Sequence, residues 1–384
     1  MRRTIFLATL SALSCQSYQF EPVAPVTLVV SDEVFELAPV LKPNVMLAVD
    51  RSGSMGGQLD AACSSTCPTR LSELKQAVAS FTALADDRVR LGLTTFPREP
   101  GPTLTGAEAS CQPANDVRVA LPVASRVDDQ QASQANRASA SQVNAAVQAL
   151  QAAGGTPTGA TLAFLGTRSE LRASDFRNDF VLLLTDGLPN CNENNPNDFM
   201  QSASACRCQT GGGDCSGNDV RRRGCLDADA TVEQVQALHR LGIKTIVVGF
   251  GADTNQVDAR AVLEQLARAG GVPRTCASDG DCGAGSACTS GRCDRWAFQA
   301  SNRVELEQVL TTVLSGLTPA TCTRALPDRP FTSGAVSLLV DGARVARGPE
   351  TWSLSDDQRS VTLAPAFCEA NHGAQLHLRV AGSP

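Results

Sequence analysis

Three short runs, "NVMLAV", "FVLLLT" and "TIVVGF", are almost wholly apolar and rich in Val, Ile and Leu. A strand with one wet face alternates apolar and polar residues, whereas a strand covered on both faces has no reason to. Runs of this kind belong to parallel sheets sandwiched between helices. The segments between them carry the helical period. "LSELKQAVASFTALA" (71–85) sets Leu71, Leu74, Val78, Phe81 and Leu84 on one stripe, and "SASQVNAAVQALQAAGG" does the same with Val143, Val147 and Leu150 before a Gly154-Gly155 stop. "TGATLAFLGTRSEL", "DATVEQVQALHRLGI", "DARAVLEQLARAGG" and "RVELEQVLTTVLSGL" supply further helices. Strands alternating with helices predict an α/β fold, doubly wound about a mostly parallel sheet. "RVRLGLTTFP" and "VRVALPV", separated by a loop, predict one antiparallel edge strand.

The chain of 384 residues has room for such a domain and one or two small additions. A charged fraction of 19% and a hydrophobic fraction of 42% fit a globular protein. The net charge is −6, and Arg221-Arg222-Arg223 is the only basic block that stands out, so the composition argues against a nucleic-acid partner.

The start, "MRRTIFLATLSALSC", has a basic pair followed by an apolar core too short to span a bilayer, the pattern of an export signal over 1–14. "SALSC" resembles the bacterial lipobox, which implies cleavage before Cys15 and a lipid on that cysteine as membrane anchor. Gln16 and Ser17 follow in place of an aspartate, which for that motif implies the outer membrane of a Gram-negative bacterium; the alternative is an ordinary signal peptide and a secreted protein. Residues 15–42 are expected to form a tether with one or two strand-like stretches such as "VTLVV".

Cysteine arithmetic fits export. With Cys15 set aside from the 15 cysteines, an even number remains for disulfides. Cys276, Cys282, Cys288 and Cys293 lie in a Gly-, Ser- and Asp-rich insertion (276–293) that cannot build an apolar core, and are expected to pair among themselves. Cys322 and Cys368 are expected to close a small β module over 320–384, with a hairpin at Asp341-Gly342, for a gain on the order of 4 kcal/mol in the chain-entropy view. Cys63, Cys67 and Cys111 form one remaining group; Cys191, Cys206, Cys208, Cys215 and Cys225 form another, in an insertion over 191–225. Both groups are odd, so if all are oxidised at least one bridge must join them, forming a disulfide-braced collar.

The chemistry is concentrated where the strands end. "AVDRSGSM" delivers Asp50 from a buried strand and follows it with Ser52 and Ser54; "LLLTDG" delivers Asp186; "GGTPTG" offers Thr156 from a loop between helices. In open α/β sheets the carboxyl ends of the strands are where ligands sit. Carboxylate and hydroxyl oxygens are hard donors suited to Mg²⁺ or Mn²⁺. In this order and spacing, "DRSGSM", "GGTPTGATL" and "LLLTDG" resemble the von Willebrand factor A (VWA) domain and its metal-ion-dependent adhesion site (MIDAS), over roughly 43–317. The resemblance implies Asp50, Ser52, Ser54, Thr156 and Asp186 as metal ligands, Mg²⁺ or Mn²⁺ as the ion, and a protein partner that presents an Asp or Glu. The expected function is thus surface-anchored, metal-dependent protein binding. Two other readings stand beside it: a structural envelope protein whose metal staples loops, and a non-catalytic subunit of a hydrolase or chelatase-like complex. The chain is not expected to be an enzyme, because it has no G-x-S-x-G, H-E-x-x-H or Walker A motif and no histidine within the three stretches.

Overall fold

The computed structural model describes residues 29–36, 41–59, 67–99, 104, 109–123, 128–171, 177–191, 227–251, 254, 257–283, 285–317, 322–326, 330, 332–371 and 374–382. The expected export signal, Cys15, Cys63, Cys206, Cys208, Cys215 and Cys225 lie outside them. The chain divides into two compact units, one of Val40–Pro319 and one of Met1–Pro39 with Ala320–Pro384.

After β1 (Val29–Glu36), the larger unit is built from β2 (Asn44–Asp50), α1 (Arg70–Ala85), β3 (Arg90–Phe96), α2 (Gln130–Gln148), α3 (Thr158–Gly166), β4 (Asp179–Thr185), α4 (Ala228–Arg240), β5 (Ile243–Phe250) and α5 (Val257–Gly270). The short hairpin β6 (Cys288–Thr289) and β7 (Arg292–Cys293) then precedes β8 (Phe298–Ala300) and α6 (Arg303–Leu317). The sheet order is β3-β2-β4-β5-β8, with every pair parallel. The strand order reverses between β2 and β4, and in open α/β sheets the carboxyl ends at such a reversal form the ligand-binding crevice.

The apolar runs have the expected physical cause. Val45, Leu47 and Val49 of β2 pack on one face against α1, α2 and α6, while Met46 and Ala48 pack on the other against α3, α4 and α5. Val181 and Leu183 of β4 divide from Leu182 and Leu184 in the same way. Each fully buried side chain of this size contributes about 1.5–3 kcal/mol, and every position between Asn44 and Asp50 in β2 and between Asp179 and Thr185 in β4 is apolar.

Three local expectations change. "VRVALPV" contributes a single antiparallel bridge, Leu93 with Val119, not a full edge strand. Pro122, which has no N–H to donate, follows closely, and Arg90 on the edge strand spends its guanidinium on the carbonyls of Pro122 and Val123. Leu84 is half exposed at the end of the α1 stripe. Helix α2 ends at Gln148 and not at Gly154-Gly155, which leaves those glycines to a different task described below.

The smaller unit is a β-sandwich. One sheet has the order β1-β14-β10-β11 and the other β12-β13-β9, from β9 (Thr323–Ala325), β10 (Val336–Val340), β11 (Ala343–Val345), β12 (Trp352–Leu354), β13 (Ser360–Leu363) and β14 (Gln375–Gly382). Leu376, Leu378 and Val380 alternate into its core with Leu338, Trp352 and Val361, and Asp341 and Gly342 turn the hairpin with positive φ values of 46° and 82°. Cys322 and Cys368 are bridged. The module is wider than 320–384: β1, from the segment expected to be a tether, pairs along its whole length with β14, from Val29 opposite Gly382 to Glu36 opposite Gln375. Phe35 of β1 packs on this core, and Asp32 meets Arg379 across the ladder at 3.0 Å.

Candidate metal centre

β2 places Asp50 at the switch point, completely buried. Its Oδ1 accepts the backbone N–H of Ser52 at 2.7 Å, and its Oδ2 accepts the Thr185 hydroxyl at 2.7 Å. A single 3₁₀ turn over Gly53–Gly56, pinned by buried Met55, brings the two serines round. The Ser52 and Ser54 hydroxyls lie 2.9 Å apart, and Ser54 donates to Asp186 Oδ1 at 2.8 Å. Asp186, also completely buried, accepts from Arg70 Nη1 through its other oxygen at 2.9 Å. The four residues Asp50, Ser52, Ser54 and Asp186 are therefore one hydrogen-bonded cluster drawn from two neighbouring strands.

Thr156, nearly fully buried, enters on a third loop laced to both others. On the Asp50 side, Gly53 N–H donates to Gly154 O at 2.8 Å, Ala153 N–H donates to Arg51 O at 2.8 Å, and the Arg51 Nε donates to Gln151 O at 2.7 Å. On the Asp186 side, Thr156 N–H donates to Asn190 Oδ1 at 2.7 Å, and Asn190 N–H returns to Thr156 O at 2.9 Å. Gly154 has φ of 81°, and a Cβ there would sit 2.7 Å from Ser110 O and 2.8 Å from Pro97 Cγ. This is the work of the glycine pair: the close approach of two loops, not the end of a helix. Gly154→Ala is expected to cost about 1–3 kcal/mol in denaturant unfolding, with a matching loss of order around Thr156.

The bridge Cys111–Cys191 ties these loops again, because Ser110 O accepts Gly155 N–H at 2.7 Å and Cys191 directly follows Asn190. It joins the two odd cysteine groups, as their parity requires if all are oxidised, and it is one strut of the expected collar. Cys67 is also disulfide-bonded. In the insertion the pairs are Cys276–Cys288 and Cys282–Cys293. The close approach of Cys276, Cys282 and Cys293 sulfurs is thus two packed disulfides and not a thiolate metal site.

Two buried carboxyl groups share this crevice. Burial first, and the nearby Asp186 charge second, push Asp50 up to about 7, against hydrogen bonds from Thr185 and Ser52 that favour its ionised form. Two carboxylates out of water repel, and each costs several kcal/mol unless it is paired. Arg70 offsets one charge. The remaining negative charge and the serine hydroxyls beside it fit a small divalent cation held by Asp50, Ser52, Ser54 and Asp186, and the backbone of Thr156, the fifth expected ligand, is fixed on the adjoining loop. Thr185, Arg70, Asn190 and Arg51 were not expected from sequence. Thr185 stands inside "LLLTDG", and Arg51 inside "DRSGS", so both were within reach. Arg70 and Asn190 carry no local mark of their role.

No family profile and no curated protein matches this chain. Among solved structures it is similar to the pilus adhesin SpaC from Lactobacillus rhamnosus GG, with 14% identity and a TM-score of 0.45 over 92% of this chain and 41% of that one. It is similar to the PilB minor pilin from Streptococcus sanguinis (16%, TM-score 0.40, 73% and 62%). It is also similar to the manganese-loaded Plasmodium vivax TRAP protein (15%, TM-score 0.38, 88% and 97%). The chain spans less than two thirds of the first two. Overlaps this loose carry no functional argument, which rests on the crevice itself.

Proposed function

We propose that the larger unit is a VWA-type binding module that holds Mg²⁺ or Mn²⁺ at the β2/β4 switch point and engages an acidic side chain of a protein partner. The observation that carries this reading is the single cluster of two fully buried carboxyls and two serine hydroxyls, with the Thr156 loop clamped against it. A bound ion would supply a Lewis-acid position for a partner carboxylate. The chain's own residues set the terms. Three of the five proposed donors are neutral hydroxyls, so only the two aspartates would offset the ion's charge, and Arg70 already engages one of them. Thr185 and Ser52 N–H orient the Asp50 oxygens, and Asn190 fixes the Thr156 backbone.

We read the module as binding and not catalytic. His377 lies beside Asp32 in the other unit, and His239 contacts the Ala269 carbonyl at the end of α5. His239, the one described histidine of the larger unit, is thus engaged outside the proposed donor set. Export and a lipid on Cys15 complete the proposal: a module displayed at the cell surface, facing its partner.

Calorimetric titration of the purified protein tests the central point. One Mn²⁺ or Mg²⁺ per chain is expected, together with capture of acidic envelope proteins that EDTA abolishes. Saturable metal uptake with partner capture indifferent to EDTA would instead favour a metal that only staples loops.

A further inference from the structure

Arg70 is the first residue of α1, where a cation faces the positive end of the helix dipole and is disfavoured. Nothing about helix stability asks for an arginine there. Thr69 already caps the helix by accepting from Ser72 N–H, and Glu73 supplies the acidic residue of the first turn. Yet the guanidinium is buried, and its Nη1 lies 2.9 Å from Asp186 Oδ2. The fold makes room for it. Gly251, just past β5, has φ of 98°, and a Cβ there would come within 3.2 Å of Arg70 Nε. The arginine sits in a built slot between the ends of β4 and β5.

We infer that Arg70 sets the selectivity of the crevice: its fixed positive charge on Asp186 weakens the hold on the metal and strengthens the demand of the loaded site for an exogenous carboxylate. The inference rests on the metal-binding reading above. With Asp50 and Asp186 ionised, the described ligand set carries two negative charges, and Arg70 returns one. A divalent ion would therefore leave the cluster with a net positive charge where two carboxylates alone would leave it neutral. Charge interactions at such short range in a water-poor crevice are strong. A positive residue next to the ligands opposes the cation and favours an incoming anion by the same interaction. The arginine trades metal affinity for ligand affinity.

The test uses the full exported chain, Mn²⁺ alone, and acetate as the carboxylate probe, which is read by the loss of water-proton relaxation enhancement from bound Mn²⁺. In Arg70→Gln, Mn²⁺ is expected to bind at least about 10-fold tighter, and acetate to the Mn²⁺-loaded protein at least about 5-fold weaker, a change in opposite directions set by one unit of charge. Arg70→Lys keeps the charge, loses the planar fork, and is expected to restore both constants to within about 3-fold of the wild type. If Arg70 only props Asp186 in place, Gln weakens Mn²⁺ binding and Lys fails to rescue it; that result overturns the inference. Should Gln prove unfolded, Lys decides alone: weakened Mn²⁺ binding overturns the inference, and retained constants support it. A wild-type protein that takes up no Mn²⁺ would sink the metal reading itself, which separates the two failures.

Discussion

Asp50→Asn is expected to reduce Mg²⁺ and Mn²⁺ binding by more than about 100-fold, beyond the loss seen when only an outer partner of a ligand is removed, while leaving the fold intact. The amide fits the same hydrogen bonds. Its oxygen can accept from Ser52 N–H, and its NH₂ can donate to the Thr185 hydroxyl, which already has Gly187 O in reach at 3.2 Å. The substitution also removes a pH dependence from the metal-free protein. Burial and the Asp186 charge hold the Asp50 pKa at about 7, above the ordinary carboxylate value. A raised acid is favoured protonated in the folded state, so its stabilising contribution is full below about pH 4 and is lost as pH rises to about 7. In chelator, the wild type should therefore lose thermal stability across that interval, and Asp50→Asn should lose much less. Calorimetry with Mn²⁺ and melting curves at several pH values check both statements; an Asn variant that still binds Mn²⁺ with wild-type affinity removes Asp50 from the ligand set.

The second large effect is expected from the double variant Cys111→Ser, Cys191→Ser. The bridge closes a sequence separation of 80 residues, and constraining a loop of that size is worth roughly 4 kcal/mol in the chain-entropy view. The loss falls on the crevice as well as on global stability. The bridge follows directly on Ser110, whose carbonyl holds Gly155, and on Asn190, whose side chain holds Thr156. Denaturant unfolding should show a lower midpoint and a steeper slope, because the denatured chain without the cross-link exposes more surface. Mn²⁺ affinity should fall by about 10-fold, the lower end of what outer supports of a metal contribute. A stability loss with unchanged metal affinity would assign the bridge to the fold alone.

Much of this molecule follows from its chain order. The buried runs ending at Asp50 and Asp186 mark two central parallel strands because only a strand packed on both faces can be apolar at every position. The ligand end follows from where each run stops being apolar. The Asp341-Gly342 hairpin and the alternation of Leu376, Leu378 and Val380 were legible for the same reason: each is written in residues a few positions apart. Cysteine parity called for a bridge between the two odd groups if all their members are oxidised, but not for which cysteines form it.

What the sequence determined by itself is the layer architecture and the identity of the clustered residues Asp50, Ser52, Ser54 and Asp186, since periodicity and motif are local properties. What only the tertiary structure decided is who stands next to whom. Arg70 reaches Asp186 across 116 positions, and Asn190 reaches Thr156 across 34. Gly154 serves a loop contact in place of a helix end, and β1 joins β14 over almost the whole chain. Such pairings are set by which strands become neighbours and how loops close over them, and a one-dimensional pattern holds no term for that.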